Sequence, residues 1–276
     1  MQRLLQVVVF PPAVGPTITI TICILIVYYI LKQMDFKRIY PHIICICKTK
    51  DEKQESVEIM GTGLYLAING KNYLLTAGHV MDAPRGILIM AGNGKQIVSP
   101  FKGGNITTGE DEKIYDLGIA ELGDEYLPDG KIPYSFEQMI EDVYCKPGKV
   151  LLVGFPVDLS IARNWGERSI EASAIDYTEN EAYVNYAVYA QYDSVTHIAI
   201  EWNPGLIEGN DVVVPVKPGT KGPKGLSGAP MWVVDDKGML RIVGIVISNY
   251  SLRGKEYIIG VRTKLVNHFI KTSLNI

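Results

Sequence analysis

The sequence predicts an all-β protein of short antiparallel strands, with a hydrophobic helix at its N-terminal end and a short helix at its C-terminal end. Three observations carry this prediction. From Met60 onward, apolar and polar residues alternate with period two in short runs separated by Gly, Asn and Asp, the pattern of half-buried strands. The 276 residues include 27 Gly and 15 Pro, a turn-rich composition that favours many short strands over long helices. Two stretches with a different pattern lie at the ends, the uncharged run from Leu4 to Leu31 and the helical spacing of Leu265, Val266, Phe269 and Ile270.

At the N-terminal end, the apolar residues from Pro16 to Leu31 approach the roughly 20 that a membrane-spanning helix needs, and Lys32 can snorkel to the interface. Arg3 alone precedes this run, whereas Lys32, Lys37, Arg38, Lys48, Lys50 and Lys53 follow it. The expectation is a single-pass membrane anchor over residues 16–32, with the lipid bilayer as a partner and the C-terminal portion in the cytoplasm. Tyr28, Tyr29, Ile30 and Leu31 offer no small-residue cleavage site, which argues against a secretory signal. The alternative is a soluble form beginning at Met34, since Met34 to Arg38 would make an ordinary N-terminus.

The most definite strand signal is a hairpin, Gly63 to Ile68 and Asn72 to Thr76 about Asn69-Gly70, a dipeptide suited to the positive backbone angles of a type I′ turn. Further strands are expected at 87–90, 117–121, 150–155, 183–189, 195–201, 211–215, 230–234, 241–247 and 257–261. Pro133 to Gly148 lacks alternation and divides these strands into two sets. Three parts follow: residues 1–40, a first strand-rich domain at 41–140, and a second at 141–276. In the last part Thr263 is the expected cap of a helix that turns Lys264, Asn267 and Lys271 outward.

Charge and cysteine content exclude several functions. The 27 basic and 30 acidic residues give a net charge of -3, and no Arg-rich stripe with interleaved aromatics is present, so no nucleic-acid partner is expected. Cys23, Cys45, Cys47 and Cys145 lack zinc-knuckle spacing and read as buried thiols of a reducing compartment. His42 and His197 have no acidic or cysteine partner at ligand spacing and read as structural, so no metal is expected. A dinucleotide site at Gly61 and Gly63 would need a third glycine and a following helix. No cofactor is expected.

Three positions carry the residue types of nucleophilic catalysis. His79 follows Tyr73-Leu74-Leu75-Thr76-Ala77-Gly78, where an apolar strand ends in small residues. Asp116 stands at the mouth of the strand that begins at Leu117, where a carboxylate has no packing reason to be. Ser227 lies in Gly225-Leu226-Ser227-Gly228-Ala229-Pro230, whose glycines free the backbone to present amides and hydroxyl together. A serine hydroxyl is a weak nucleophile until a base takes its proton, and the base must be held in one tautomer by a third group.

These three blocks, in this order in a strand-rich chain, resemble the signature blocks of the chymotrypsin-like serine proteases, in particular the disulfide-free microbial and organellar branch. The resemblance covers roughly residues 58 to 262. It implies two antiparallel β-barrels with the active site between them, His79 and Asp116 on the first barrel and Ser227 on the second. It further implies an endopeptidase acting on protein or peptide substrates, with Ser227 as nucleophile, His79 as base and Asp116 as its orienting partner. The amides of Gly225 and Ser227 would form an oxyanion hole. Gly61-Thr62-Gly63 and Val153-Gly154-Phe155-Pro156 resemble the opening strands of the two barrels.

By the same resemblance Ile247-Ser248-Asn249-Tyr250 would pair with the substrate backbone, so Ser248, Asn249 and Tyr250 are expected in substrate binding with Lys221 and Leu226. Three residues depart from the family pattern. Leu226 stands where zymogen-activated relatives carry an aspartate, Lys221 lies near the specificity position of trypsin and is not acidic, and Ala229 replaces a usual glycine. Cleavage after small or medium apolar residues is the expectation, with acidic residues second if Lys221 turns inward.

A rival order, Ser227, then Asp235 or Asp236, then His268, as in α/β-hydrolases, requires an elbow running into a helix. Ala229 and Pro230 lead instead toward a strand. The alternative of a different class is a catalytically inactive protein of the trypsin fold that serves as a binding or scaffold module.

Overall fold

In the computed structural model the described residues are 37–49, 57–82, 88–91, 96–98, 101–106, 115–123, 130–139, 149–157, 175–180, 192–202, 208–209, 224–252 and 254–276. The hairpin read from Asn69-Gly70 joins β2 (Val57–Ile68) to β3 (Lys71–Ala77), with Ile68 opposite Lys71. Asn69 at φ 49° and Gly70 at φ 76° supply the two positive angles of the turn. Every residue from Tyr73 to Ala77 is buried. Successive strand residues point to opposite faces, so β3 is covered on both.

The first sheet is built from one continuous part of the chain. Besides β2 and β3 it contains β1 (Ile43–Thr49), β4 (Leu88–Ala91), β5 (Gln96–Val98), β6 (Phe101–Ile106) and β7 (Leu117–Leu122), in the order β5-β4-β1-β2-β3-β7-β6. A two-residue strand, β8 (Tyr134–Ser135), adds to β2 in parallel. The second sheet takes β9 (Lys149–Gly154), β10 (Ile175–Asn180), β11 (His197–Trp202), β12 (Glu208–Gly209), β13 (Pro230–Val234), β14 (Leu240–Leu252) and β15 (Lys255–Arg262). Its order is β11-β15-β14-β13-β9-β10-β12. Residues 39–276 form one unit that contains both sheets.

Each sheet has its own core cluster. Ile44, Ile46, Tyr65, Leu74, Ala77, Val80 and Leu122 pack together in the first, and the second includes Leu152, Ile200, Leu226, Met231, Val246 and Ile258. Trp232 of β13 is fully buried, with its ring edge-on to Tyr134 of β8 at 5.1 Å between centroids, which joins the two halves by aromatic contact.

A 3-10 helix (Tyr40–His42) precedes β1, and three short α-helices are also described: α1 (Gly78–Met81), α2 (Phe136–Met139) and α3 (Thr263–Leu274). α3 buries Val266 and Ile270, but two expected details differ. Thr263 is the first helical residue and its hydroxyl donates to the Ile242 carbonyl at 2.8 Å rather than capping the helix. Asn267 turns inward and its Nδ2 donates to the Met139 carbonyl at 2.9 Å, a partner that the helical spacing does not reveal.

The architecture corrects the expected fold class. The fold is mixed helix and sheet with two open sheets, not an all-β pair of closed barrels. A barrel requires its first and last strands to pair, whereas the described first sheet ends at β5 and β6 and the second at β11 and β12. The resemblance to chymotrypsin-like proteases, which implied that double barrel, is corrected on the same ground. Alternation along a strand reports which faces are buried, and it is identical for open and closed sheets.

The expected N-terminal hydrophobic helix and bilayer contact over residues 16–32 lie outside the described residues. Among the described residues, no helix is long and apolar enough to cross a membrane; α3, the longest, has 12 residues. The transmembrane helix, the lipid partner and the single-pass membrane location are corrected accordingly. The strands expected at 183–189 and 211–215, with Cys23 and Cys145, also lie outside the described residues.

Candidate active site

The antiparallel register of β3 on β7 sets Ala77 opposite Leu117, so the residue leaving one strand and the residue entering the other are neighbours. His79 is the second residue of α1, which begins directly after Ala77, and Asp116 directly precedes Leu117. The Gly78 amide donates to the Asp116 carbonyl at 2.7 Å, the His79 amide donates to Asp116 Oδ1 at 2.9 Å, and His79 Nδ1 is hydrogen-bonded to Asp116 Oδ2. A carboxylate only accepts, so Nδ1 carries a proton, and in the neutral imidazole Nε2 then keeps its lone pair. Asp116 reaches this position at φ 36°, a left-handed conformation that Asp tolerates better than most residues. The Asp116 side chain is 19% exposed and that of His79 49%.

Ser227 lies in the turn that leads into β13. Four consecutive carbonyls of this turn are fixed. That of Lys224 accepts from the Val157 amide at 2.8 Å, that of Leu226 from the Ala229 amide at 2.9 Å, and that of Ser227 from the Thr62 amide at 2.9 Å. The Gly225 carbonyl accepts from Thr62 Oγ1 at 3.0 Å. In a trans peptide the N–H points opposite to the carbonyl. The amides of Gly225 and Ser227 therefore point away from Val157 and Ala229, and neither has an acceptor among the described residues.

The turn needs positive φ at Gly225 and Gly228, 93° and 85°. At Gly228 a Cβ would also collide with Thr76 Oγ1 and the Thr62 carbonyl.

His79, Gly225, Leu226 and Ser227 line one pocket of about 390 Å³. Val157, Val246 and Ile258 give it apolar walls, and Ser248, Asn249 and Lys224 give it polar ones. Of the residues expected in substrate binding, Leu226, Ser248 and Asn249 are therefore in the lining. Tyr250 instead packs on the cluster of Ala199, Tyr257 and Ile259, and Lys221 lies outside the described residues. Glu58 also lines the pocket and is paired with Lys48 at 2.9 Å. Sequence reasoning assigned no role to Thr62 or Glu58. The one signal available was a threonine between two glycines in a strand otherwise apolar from Ile59 to Ile68.

The other candidates take structural positions. His42 stacks edge-on to Tyr134, its Nδ1 is hydrogen-bonded to the Ile132 carbonyl at 2.7 Å, and burial lowers its pKa. His197 is fully buried, with Nδ1 2.7 Å from the Thr196 hydroxyl. Cys45 and Cys47 are buried and free, and burial pushes the Cys45 thiol well above its usual range. Asp235 closes a turn by accepting the Lys237 and Met239 amides, and His268 is an exposed residue of α3. Among the described residues, no group of His, Cys, Asp and Glu could hold a metal ion.

Comparison with protein-family models and with curated protein sequences finds no match for this chain.

Proposed function

We propose that the chain is a serine hydrolase that cleaves peptide bonds. The observation that carries this reading is the junction, at a single pocket, of Ser227, a His79 ring oriented by Asp116, and the amides of Gly225 and Ser227, which have no acceptor among the described residues. In the proposed reaction Ser227 Oγ attacks the substrate carbonyl carbon while His79 Nε2 takes the hydroxyl proton. The carbonyl π electrons move to oxygen, and the amides of Gly225 and Ser227 stabilise that charge. Collapse expels the amine, which receives the proton from His79, and leaves an ester on Ser227. Water then repeats the sequence, with His79 as base, to release the acid.

A peptide is the substrate class favoured by β14. Residues 248–252 pair with β15 on one side, and no described strand pairs with residues 247–249 on the other. An extended chain can add there through backbone hydrogen bonds beside the pocket.

A second reading, a catalytically inactive module that binds extended peptides, is favoured by one feature of the same site. The Ser227 hydroxyl makes no hydrogen bond to His79 or to any other described residue. A phosphonate that esterifies activated serines separates the two readings. Under the hydrolase reading it adds once, at Ser227, and Ser227→Ala or His79→Ala abolishes the adduct. An unlabelled parent protein that still binds extended peptides would establish the second reading.

A further inference from the structure

The two candidate oxyanion donors belong to the peptide planes 224–225 and 226–227. The plane between them, 225–226, sets their relative orientation, because rotating it turns one donor against the other. Its carbonyl is held by the hydroxyl of Thr62, at 3.0 Å.

Thr62 is fully buried in β2 and all its polar groups are used. Oγ1 donates to the Gly225 carbonyl and accepts the Phe155 amide at 2.9 Å, the backbone amide donates to the Ser227 carbonyl at 2.9 Å, and the carbonyl accepts Thr76 Oγ1 at 2.7 Å. One residue of the first sheet thus fixes two of the four carbonyls in the Ser227 turn and the end of β9. A valine there would keep the shape and strand preference while leaving the Gly225 carbonyl and the Phe155 amide buried without these partners. Packing alone does not require the hydroxyl.

We infer that Thr62 is a positioning residue of the catalytic site, whose hydroxyl sets the peptide plane between the two oxyanion donors. This inference rests on the hydrolase reading of Ser227. It separates two functions of the fold: Asp116 orients the base, and Thr62, from the neighbouring strand, orients the groups that receive the developing charge. Thr62 has no hydrogen bond to His79 or Asp116. Loss of its hydroxyl is therefore expected to leave the titration of the base unchanged.

The test uses the full chain and the activated ester p-nitrophenyl acetate. Thr62→Val is expected to lower kcat about tenfold to a hundredfold, with KM and the pH midpoint of kcat/KM essentially unmoved. Thr62→Ser, which keeps the hydroxyl, is expected to restore kcat to within about threefold of the parent. Near-parental kcat in a folded Thr62→Val variant overturns the inference. So does a folded Thr62→Ser variant with kcat reduced by tenfold or more, roughly the lower edge of the expected loss, whether or not the valine variant folds. Phosphonate labelling of the parent distinguishes the levels. A labelled parent with an indifferent Thr62→Val variant refutes the role of Thr62 alone, whereas a parent neither labelled nor active refutes the hydrolase reading and this inference with it.

Discussion

Asp116 grips His79 at two points, by the backbone amide through Oδ1 and by the ring through Oδ2, so one carboxylate sets both the place of the turn and the tautomer of the imidazole. Asparagine in its place would present an amide donor to one of these groups and favour the wrong tautomer. Asp116→Asn is expected to lower kcat by about 10^4 while a phosphonate-free thermal unfolding curve stays close to the parent's. Retention of near-parental turnover would remove Asp116 from the mechanism.

Gly78 makes that grip possible. A Cβ there would lie 2.7 Å from Asp116 Oδ1, so Gly78→Ala should push the carboxylate off His79. We expect kcat to fall about tenfold or more from misplacement of the base alone. The measurement is ester hydrolysis alongside circular dichroism, with folded but slow protein as the expected outcome.

Ser227→Ala and His79→Ala should each reduce kcat on the order of 10^4-fold or more, and the double variant should be no slower than the worse single one, because the residues act as a unit. Losses that multiply in the double variant would show that Ser227 and His79 act independently.

The Ser227 turn should be intolerant of a side chain at Gly228. An alanine there must adopt φ 85° and collide with Thr76 and Thr62, whereas at Gly238, with φ 73°, it meets open space. Gly238→Ala is expected to cost about 1–2 kcal/mol for the backbone conformation, and Gly228→Ala distinctly more. Urea denaturation of the two variants reads the difference as a larger midpoint shift for Gly228→Ala, and equal shifts would refute the collision.

Lys131 gives a pH dependence with a definite sign. Its Nζ donates to the Tyr40 carbonyl at 2.8 Å and lies over the Tyr40 ring, and burial pushes its pKa down from 10.5 to about 8. Below pH 8 both native and unfolded chains carry the proton, and the desolvation penalty is present in full. As pH rises from 8 toward 10.5 the native chain binds fewer protons than the unfolded one, so this residue's contribution to stability increases with pH. The raised thiol of Cys45 acts in the opposite sense, and because the Lys131 charge lowers it, its loss of stability at high pH is larger in Lys131→Met, which adds to the same difference. The stability of the parent relative to that variant should therefore rise between about pH 8 and pH 10, and a flat difference in urea midpoints would contradict it.

The sequence by itself determined the elements whose signals are local. Asn69-Gly70 can be read as a turn because positive φ at both residues is a property of the dipeptide, and Pro230 to Val234 can be read as a strand from its apolar, β-branched residues. His79 was legible from the small residues that end an apolar strand, Asp116 as a carboxylate with no packing reason to stand at a strand's mouth, and Ser227 from its flanking glycines. β1 was not, since Ile43 to Cys47 is buried throughout and shows no alternation. Whether the sheets close, which partner Asn267 finds and which wall of the pocket Tyr250 abandons were decided only by tertiary structure. So was the position of Thr62, whose hydrogen bonds reach Phe155 and Gly225 across 93 and 163 residues. Local pattern specifies which groups must be buried; which groups meet once buried depends on strand register and sheet order, and these are set by contacts between residues far apart in the chain.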